Sequence, residues 1–226
     1  HCSAVIPANL PSNKAEQAYE ANLFMIQNLV SAIGPQTGFT FISTTALYDL
    51  TGTARLTEQD GLCPITPYQE SKALCEKALK DFFQDTDRLC ILRLSSPYSI
   101  DAQSPVILDR FIQSSLAQKQ ITLWGSGKRR QALTNTASLG NAVRQLTDTN
   151  VSGTFNYVTT PSISMRGLAQ KIRIFCPETK ILIRKEKKDP EENCQTSIET
   201  KKIEQFLTLE DTLEQDIRAM VERRAS

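Results

Sequence analysis

Apolar positions along the chain switch between two periods, and the switching sets out alternating helices and strands. Tyr19, Leu23, Ile26, Val30 and Ile33 recur at spacings of four and three, which gathers them on one helical face. Asn13 with Glu16 three residues on reads as the start of that helix, and Gly34-Pro35 as its end. Phe39 to Ser43 is a short apolar, β-branched run, and Leu89 to Leu94 is another, so both predict buried strands. Between them, Pro67 to about Phe83 predicts a helix with proline in its first turn. Strands alternating with helices favour a parallel sheet covered on both faces.

Beyond Pro105 the pattern loosens. It predicts a helix around Val106–Ala117, a strand Ile121–Trp124 and a turn at Gly125-Ser126-Gly127. A helix near Ser138–Leu146, a strand Gly153–Val158, a helix Met165–Phe175 and a strand Lys180–Ile183 follow. Arg184 to Glu192 mixes charges and reads as a solvated loop, and two final helices are expected near Ile198–Phe206 and Leu209–Arg223. No internal repeat or low-complexity tract is present.

Composition narrows the function more than the fold. A chain of 226 residues, 40% of them hydrophobic, can build one sizeable core or a core with a small lobe. With 26 basic and 25 acidic residues the net charge is +1, too balanced for a nucleic-acid footprint, so no nucleic-acid partner is expected. No apolar stretch approaches the roughly 20 residues that cross a bilayer, so no membrane partner is expected either. Cys2, Cys63, Cys75, Cys90, Cys176 and Cys194 are scattered without a CxxC pair; they read as reduced thiols and a cytoplasmic setting. His1 is the only histidine, which argues against His-rich zinc sites and Ser-His-Asp hydrolysis. Acid–base chemistry falls to Tyr, Lys, Cys or a carboxylate.

The chemistry-bearing pattern is Tyr68-Gln69-Glu70-Ser71-Lys72 at a helix start, where a separation of four puts Tyr68 and Lys72 on one face. An ammonium beside a phenol favours the phenolate, so Lys72 is expected to lower the pKa of Tyr68. By itself this pair is a weak signal, common by chance, and reads first as a surface Tyr-Lys contact. Upstream, Ser43-Thr44-Thr45 puts hydroxyls at the carboxyl end of a predicted parallel strand, where open α/β sheets bind ligands.

Taken in order, these motifs resemble the extended short-chain dehydrogenases/reductases, in particular nucleotide-sugar epimerases and dehydratases. His1-Cys2-Ser3-Ala4, Tyr19-Glu20-Ala21-Asn22, Phe41-Ile42-Ser43-Thr44 with Leu47-Tyr48, and Leu56-Thr57-Glu58 each match a family element. So do Pro67-Tyr68 with Ser71-Lys72 and Glu76, Ile91-Leu92-Arg93 through Pro97-Tyr98, and Ile121 through Gly127. The resemblance implies an α/β fold: a Rossmann-type parallel sheet with a small C-terminal α/β substrate lobe. It implies residues 1–104 as the second half of the dinucleotide-binding domain and 105–226 as mostly substrate lobe, with segments returning to the core. The family's glycine-rich GxxGxxG turn is missing from this sequence, so the chain is expected to be part of a longer protein whose N-terminal strands precede His1.

By the same resemblance Tyr68 is the general acid/base, Lys72 lowers its pKa and holds the nicotinamide ribose, and Thr44 shares the substrate's proton. Ser3, Asn22 and Pro97, with Tyr68 and Lys72, line the cofactor side, the cofactor being NAD or NADP. Thr45, Ser96 and Arg130 fall on the side of a nucleotide-sugar substrate. Thr45-Ala46 stands where family dehydratases carry Asp-Glu, Gln131-Ala132 where an Arg-Asp pair is usual, and Ser138 where an Asp is usual. Arg130 is either a phosphate contact or part of a solvated basic turn. The implied activity is epimerase or oxidoreductase, with a single-direction reductase and a non-catalytic binding module as alternatives. A homodimer is expected through the first helix and the Tyr-Lys helix, in which Leu74, Ala78 and Phe82 face either a partner or the sheet.

Overall fold

The computed structural model describes residues 1, 15–34, 36–84 and 86–225, with side chains from residue 19 in the first helix. Asn13 and Pro35, expected to bound that helix, and Ser3 lie outside the described residues. The first half runs α1 (Ala15–Ala32), β1 (Phe39–Thr44), β2 (Arg55–Leu56), α2 (Pro67–Phe82), β3 (Leu89–Leu94) and β4 (Pro97–Tyr98). The second half begins with α3 (Ile107–Gln118), β5 (Gln120–Trp124), β6 (Arg130–Asn135), α4 (Thr136–Asp148) and β7 (Gly153–Asn156). It closes with β8 (Thr160–Ser164), α5 (Met165–Phe175), β9 (Lys180–Arg184), β10 (Ser197–Ile198) and α6 (Leu213–Ala225).

β1, β3 and β7 form a parallel sheet with β3 in the centre, in register from Phe39 opposite Leu89 and Cys90 opposite Gly153. All six residues of β3 are buried, which is why its apolar run is continuous rather than alternating. Alternate side chains go to opposite faces. Phe41 and Ile91 pack under α1 and α2 with Ile26, Cys75, Leu79 and Phe83. Leu92 and Phe155 pack on the other face with Ala142 and Leu146 of α4. Both faces are therefore covered, as the alternation requires, and the carboxyl ends of the three strands point the same way.

A second core surrounds the parallel pair β5–β9, packed by Phe111, Ile112, Leu168, Ile172, Ile217 and Met220 of α3, α5 and α6. A buried ion pair between Asp109 and Arg224 ties α6 to α3. The sheet β4-β6-β8 adds Tyr98, Leu133 and Ile163 to this second core, and the pair β10-β2 packs Ile198 and Leu56 with Tyr48. Among the described residues no helix is long and apolar enough to cross a membrane.

Two expectations need correction, and two strands had no counterpart among the predicted elements. The segment Ile198–Phe206 is not a helix: Ile198 pairs with Leu56 and buries its side chain beside Tyr48, and only Ile203–Gln205 forms a 3-10 turn. β6 and β8 escaped the hydrophobic pattern because Arg130–Asn135 is mostly polar and β8 contains Pro161, tolerated there on an edge strand. The charged stretch after β9 is not simply solvated, because Asp189, Glu191 and Glu192 have protein partners.

Candidate active site

α2 begins where its first residues can be capped. The Thr66 hydroxyl accepts the Gln69 N–H at 3.3 Å, and Gln69 Oε1 accepts the Thr66 N–H at 2.9 Å, a reciprocal capping box. Pro67 in the first turn has no N–H to lose there. This fixes the turn that carries Tyr68 and, one turn later, Lys72.

Lys72 is 4% exposed, and its Nζ donates to the Ile42 carbonyl at 2.8 Å while lying 4.6 Å from the centre of the Phe41 ring. The ammonium therefore fastens α2 to β1 two residues before Thr44. Tyr68 is half-buried, and burial pushes its phenol above the ordinary value. That reverses the expected direction: the Lys72 charge is engaged at a strand carbonyl, and desolvation decides the phenol.

The three hydroxyls at the end of β1 separate by the strand's alternation. Ser43 points inward and donates to Glu76 Oε1 at 2.6 Å. Thr45 is buried, donating to the Leu94 carbonyl at 3.3 Å. Thr44 is half-buried, caps the following 3-10 turn by accepting the Ala46 N–H at 3.1 Å, and lines a cleft of about 310 Å³. Thr45, Ser96 and Arg130 are in the walls of that cleft with Gln69, whereas Tyr68 and Lys72 are not in its lining.

Asn22 sits between α1 and α2, 3% exposed, donating to Ser71 Oγ at 3.2 Å; Ser71 in turn donates to the Tyr68 carbonyl at 2.8 Å. Asn22 thus braces the turn of α2 that carries Tyr68. Pro97 is exposed and opens β4 opposite Thr134. Ser96 before it has φ 39°, left-handed backbone that a non-glycine residue adopts at a cost, and its hydroxyl accepts from Gln131 Nε2. Arg130 is exposed, its Nε and terminal nitrogen donating to Ser162 Oγ at 2.7 Å and Ser162 O at 3.1 Å.

Beneath the cleft runs a buried network to which the sequence reading gave no role. Arg93 donates to Glu76 through Nε at 3.0 Å and a terminal nitrogen at 2.7 Å, and its other terminal nitrogen donates to the Tyr48 hydroxyl at 2.7 Å. Tyr48 donates to Asn156 Oδ1 at 2.8 Å, and the Asn156 N–H donates to Glu58 at 2.7 Å. Burial alone would raise Glu76, but the hydrogen bonds and charge of Arg93 outweigh it and hold the carboxyl below its ordinary value. The signal was available: an arginine inside the otherwise apolar strand LCILRL cannot stay buried without a carboxylate partner.

The donor set at the strand ends consists of a phenol, an ammonium bound to a carbonyl and a hydroxyl on a cleft wall. Such donors can hydrogen-bond a ribose and a reacting oxygen; among the described residues no group of three His, Cys, Asp or Glu side chains that could hold a metal occurs. The pyrophosphate-binding glycine turn has no counterpart in this sequence.

A family model described as the NAD dependent epimerase/dehydratase family matches residues 1–154. Among solved structures, a UDP-N-acetylglucosamine 4-epimerase from Methanobrevibacter ruminantium, in complex with UDP-N-acetylmuramic acid, is 18% identical with a TM-score of 0.81, covering 98% of this chain and 73% of that one. A UDP-glucuronic acid 4-epimerase from Bacillus cereus, in complex with UDP-glucuronic acid and NAD, is 20% identical with a TM-score of 0.74, covering 89% and 66%. RMD from Pseudomonas aeruginosa, complexed with NADPH, is 14% identical with a TM-score of 0.82, covering 100% and 79%. At these identities the likeness is one of fold.

Proposed function

The chain belongs to the NAD dependent epimerase/dehydratase family, within the extended short-chain dehydrogenases/reductases, and from that membership we propose that it is an NAD(P)-dependent epimerase or oxidoreductase of nucleotide sugars. The observation that supports this reading is the bond from Lys72 to the Ile42 carbonyl, which ties the helix bearing Tyr68 to the strand bearing Thr44. NAD or NADP, when bound, supplies the hydride acceptor and donor. The chain's residues handle the proton and the geometry. Tyr68 exchanges a proton with the reacting oxygen of the sugar, Thr44 hydrogen-bonds that oxygen, and Lys72 holds the ribose and the helix. Asn22 and Pro97, with Ser3, take the cofactor side; Thr45, Ser96 and Arg130 take the substrate side. Residues 1–104 carry the cofactor half and 105–226 mostly the substrate half. Cytoplasmic residence and a homodimer belong to the same proposal; Cys63, Cys75, Cys90, Cys176 and Cys194 are all free thiols.

One observation favours a second reading, a reductase working in one direction. Burial pushes the Tyr68 phenol above its ordinary value, which favours the protonated form that donates to a ketone oxygen over the ionised form that takes a hydroxyl proton. Incubating the protein with oxidised or reduced NAD or NADP and a panel of UDP- and dTDP-sugars separates these readings. Inverted sugar detected by NMR without net nicotinamide change supports an epimerase, and stoichiometric nicotinamide oxidation supports a reductase. No conversion of any nucleotide sugar leaves the binding-module reading in place of both.

A further inference from the structure

α6 meets the strands of the cleft through one buried oxygen. Asp216, 6% exposed, accepts with Oδ2 from the Tyr98 hydroxyl at 2.6 Å, from Asn135 Nδ2 at 2.7 Å and from the Thr212 hydroxyl at 2.7 Å. Those donors stand on β4, at the junction of β6 with α4, and just ahead of α6. All three are neutral, and a carboxylate buried on neutral donors alone is costly. A hydroxyl or amide side chain there would bring donors of its own, whereas a carboxylate brings only acceptors. Ile217 and Met220, fully buried, already hold α6 to the second core. The carboxylate does what apolar packing does not: it fixes where Tyr98 and Asn135 meet.

That meeting point adjoins the cleft. Tyr98 follows Ser96 and Pro97, and β4 pairs Pro97 with Thr134 and Tyr98 with Asn135. Ser96, in the cleft wall, keeps its φ of 39°, which persists in a non-glycine residue only where the surroundings hold it. Its backbone bond to β6 is a weak hold, because the Thr134 N–H reaches the Ser96 carbonyl at 3.4 Å, beyond the usual range. Tyr98 is held more firmly. Its hydroxyl meets a charged acceptor, and its carbonyl accepts from the Thr136 hydroxyl at 3.0 Å. Burial first, and the Asp216 carboxylate next, push the Tyr98 phenol far up, so it stays a donor. Farther along, α6 grips the same segment through Arg223 on Asp101 and Arg224 on Asp109, whose carboxylate also accepts the Ser104 N–H at 3.0 Å.

We propose that Asp216 is a positioning residue, which pins Tyr98 to Asn135 and so keeps Ser96 in the wall of the cleft and Pro97 beside it. It touches no reacting atom. Its effect on turnover runs through Ser96 and Pro97 and rests on the nucleotide-sugar reading; its effect on the shape of the turn does not.

Three variants separate positioning from stability. Asp216→Leu removes the acceptor and keeps a side chain of similar size, Asp216→Asn keeps one acceptor oxygen, and Ile217→Ala loosens the same helix without touching the three bonds. Hydrogen–deuterium exchange reads the turn directly. Asp216→Leu is expected to speed exchange in residues 96–104 and at Thr134 by about 10-fold, the worth of one hydrogen bond to a charge, with β1 and β3 unchanged. Asp216→Asn should restore most of the protection, and Ile217→Ala should speed exchange along α6 but not at the turn. With a nucleotide sugar, kcat should fall on the order of 10- to 100-fold in Asp216→Leu, with a smaller change in KM, as expected of misplaced contacts. It should recover to within about 5-fold in Asp216→Asn and hold within about 2-fold in Ile217→Ala. Equal loss of kcat in Asp216→Leu and Ile217→Ala, no recovery in Asp216→Asn, or faster exchange with undiminished kcat overturns the inference and leaves the nucleotide-sugar reading standing. If the unaltered protein turns over no nucleotide sugar, that reading fails and exchange decides alone. Faster exchange at the turn that Asp216→Asn restores then supports the pin, and unchanged exchange overturns it. Should Asp216→Leu not fold, Tyr98→Phe takes its place, removing one donor with the ring still packed; a shift in the same direction supports the pin, and no shift overturns it.

Discussion

Tyr68, Lys72 and Thr44 occupy a short stretch of chemistry in which each group fails differently. Tyr68→Phe removes the phenolic oxygen and leaves the ring packed, so turnover should fall by roughly 10²- to 10⁴-fold, the usual worth of a general acid–base group. Dinucleotide affinity, read by quenching of protein fluorescence, should change little. Lys72→Met removes the 2.8 Å bond to Ile42 as well as the proposed ribose contact, so it should weaken dinucleotide binding in the same measurement. Thr44→Val takes away one hydrogen bond and no charge, and should cost less turnover than Tyr68→Phe. Near-normal turnover in Tyr68→Phe would remove the phenol from the mechanism. The spacing of Tyr68 and Lys72 was plain in the sequence. The direction of the phenol's shift was not, since it depends on where the ammonium finds a carbonyl and on how much of the ring is buried.

At the scale of elements, α2 is held to the sheet by charge as much as by apolar packing. Glu76 and Arg93 have side chains 2% and 3% exposed and meet at 2.7 Å, joining α2 to the central strand β3, with Ser43 of β1 bonded to the same carboxylate. Truncating one partner leaves the other buried and uncompensated, so Arg93→Met should destabilise the fold by about 3–5 kcal/mol in urea unfolding. Glu76→Gln combined with Arg93→Met should cost less than the sum of the singles. The acid limb carries a second signature. A carboxyl depressed in the folded state contributes stability that is fully present above its unfolded pKa, about 4.3, and is lost as the pH falls through the lower folded value. The unfolding midpoint of Glu76→Gln should therefore decline less steeply with acid than that of the unaltered protein.

For the whole molecule, the outer face of α1 and α2 is the region where a second copy fits the proposed homodimer. Phe24 is 62% exposed and Leu74 37% exposed. Ala78 and Phe82, which shared the expected stripe with Leu74, instead pack against the core under the sheet; the interface would centre on Phe24 and Leu74. The double change Phe24→Glu with Leu74→Glu should convert dimer to monomer in sedimentation velocity while leaving the melting temperature of the monomer fold nearly unchanged. A dimer that survives the double change pairs through another face.

Local chemistry determined much of this protein directly. The apolar period of α1, the continuous runs of β1 and β3 and the proline that starts α2 depend on neighbours within a few residues, and they are legible in the chain. The choice of Thr44 came from the family resemblance, and strand alternation accounts for its separation from the inward-pointing Ser43. Tertiary structure alone decided the rest. β10 replaced an expected helix because Ile198 gains more from Leu56 and Tyr48 than from its own neighbours. Arg93 found Glu76 seventeen residues away, and Arg129 found Glu191 sixty-two residues away. Long-range charge pairing leaves no period in a sequence; it exists only once burial and the crossing of distant segments bring the two groups within hydrogen-bond reach.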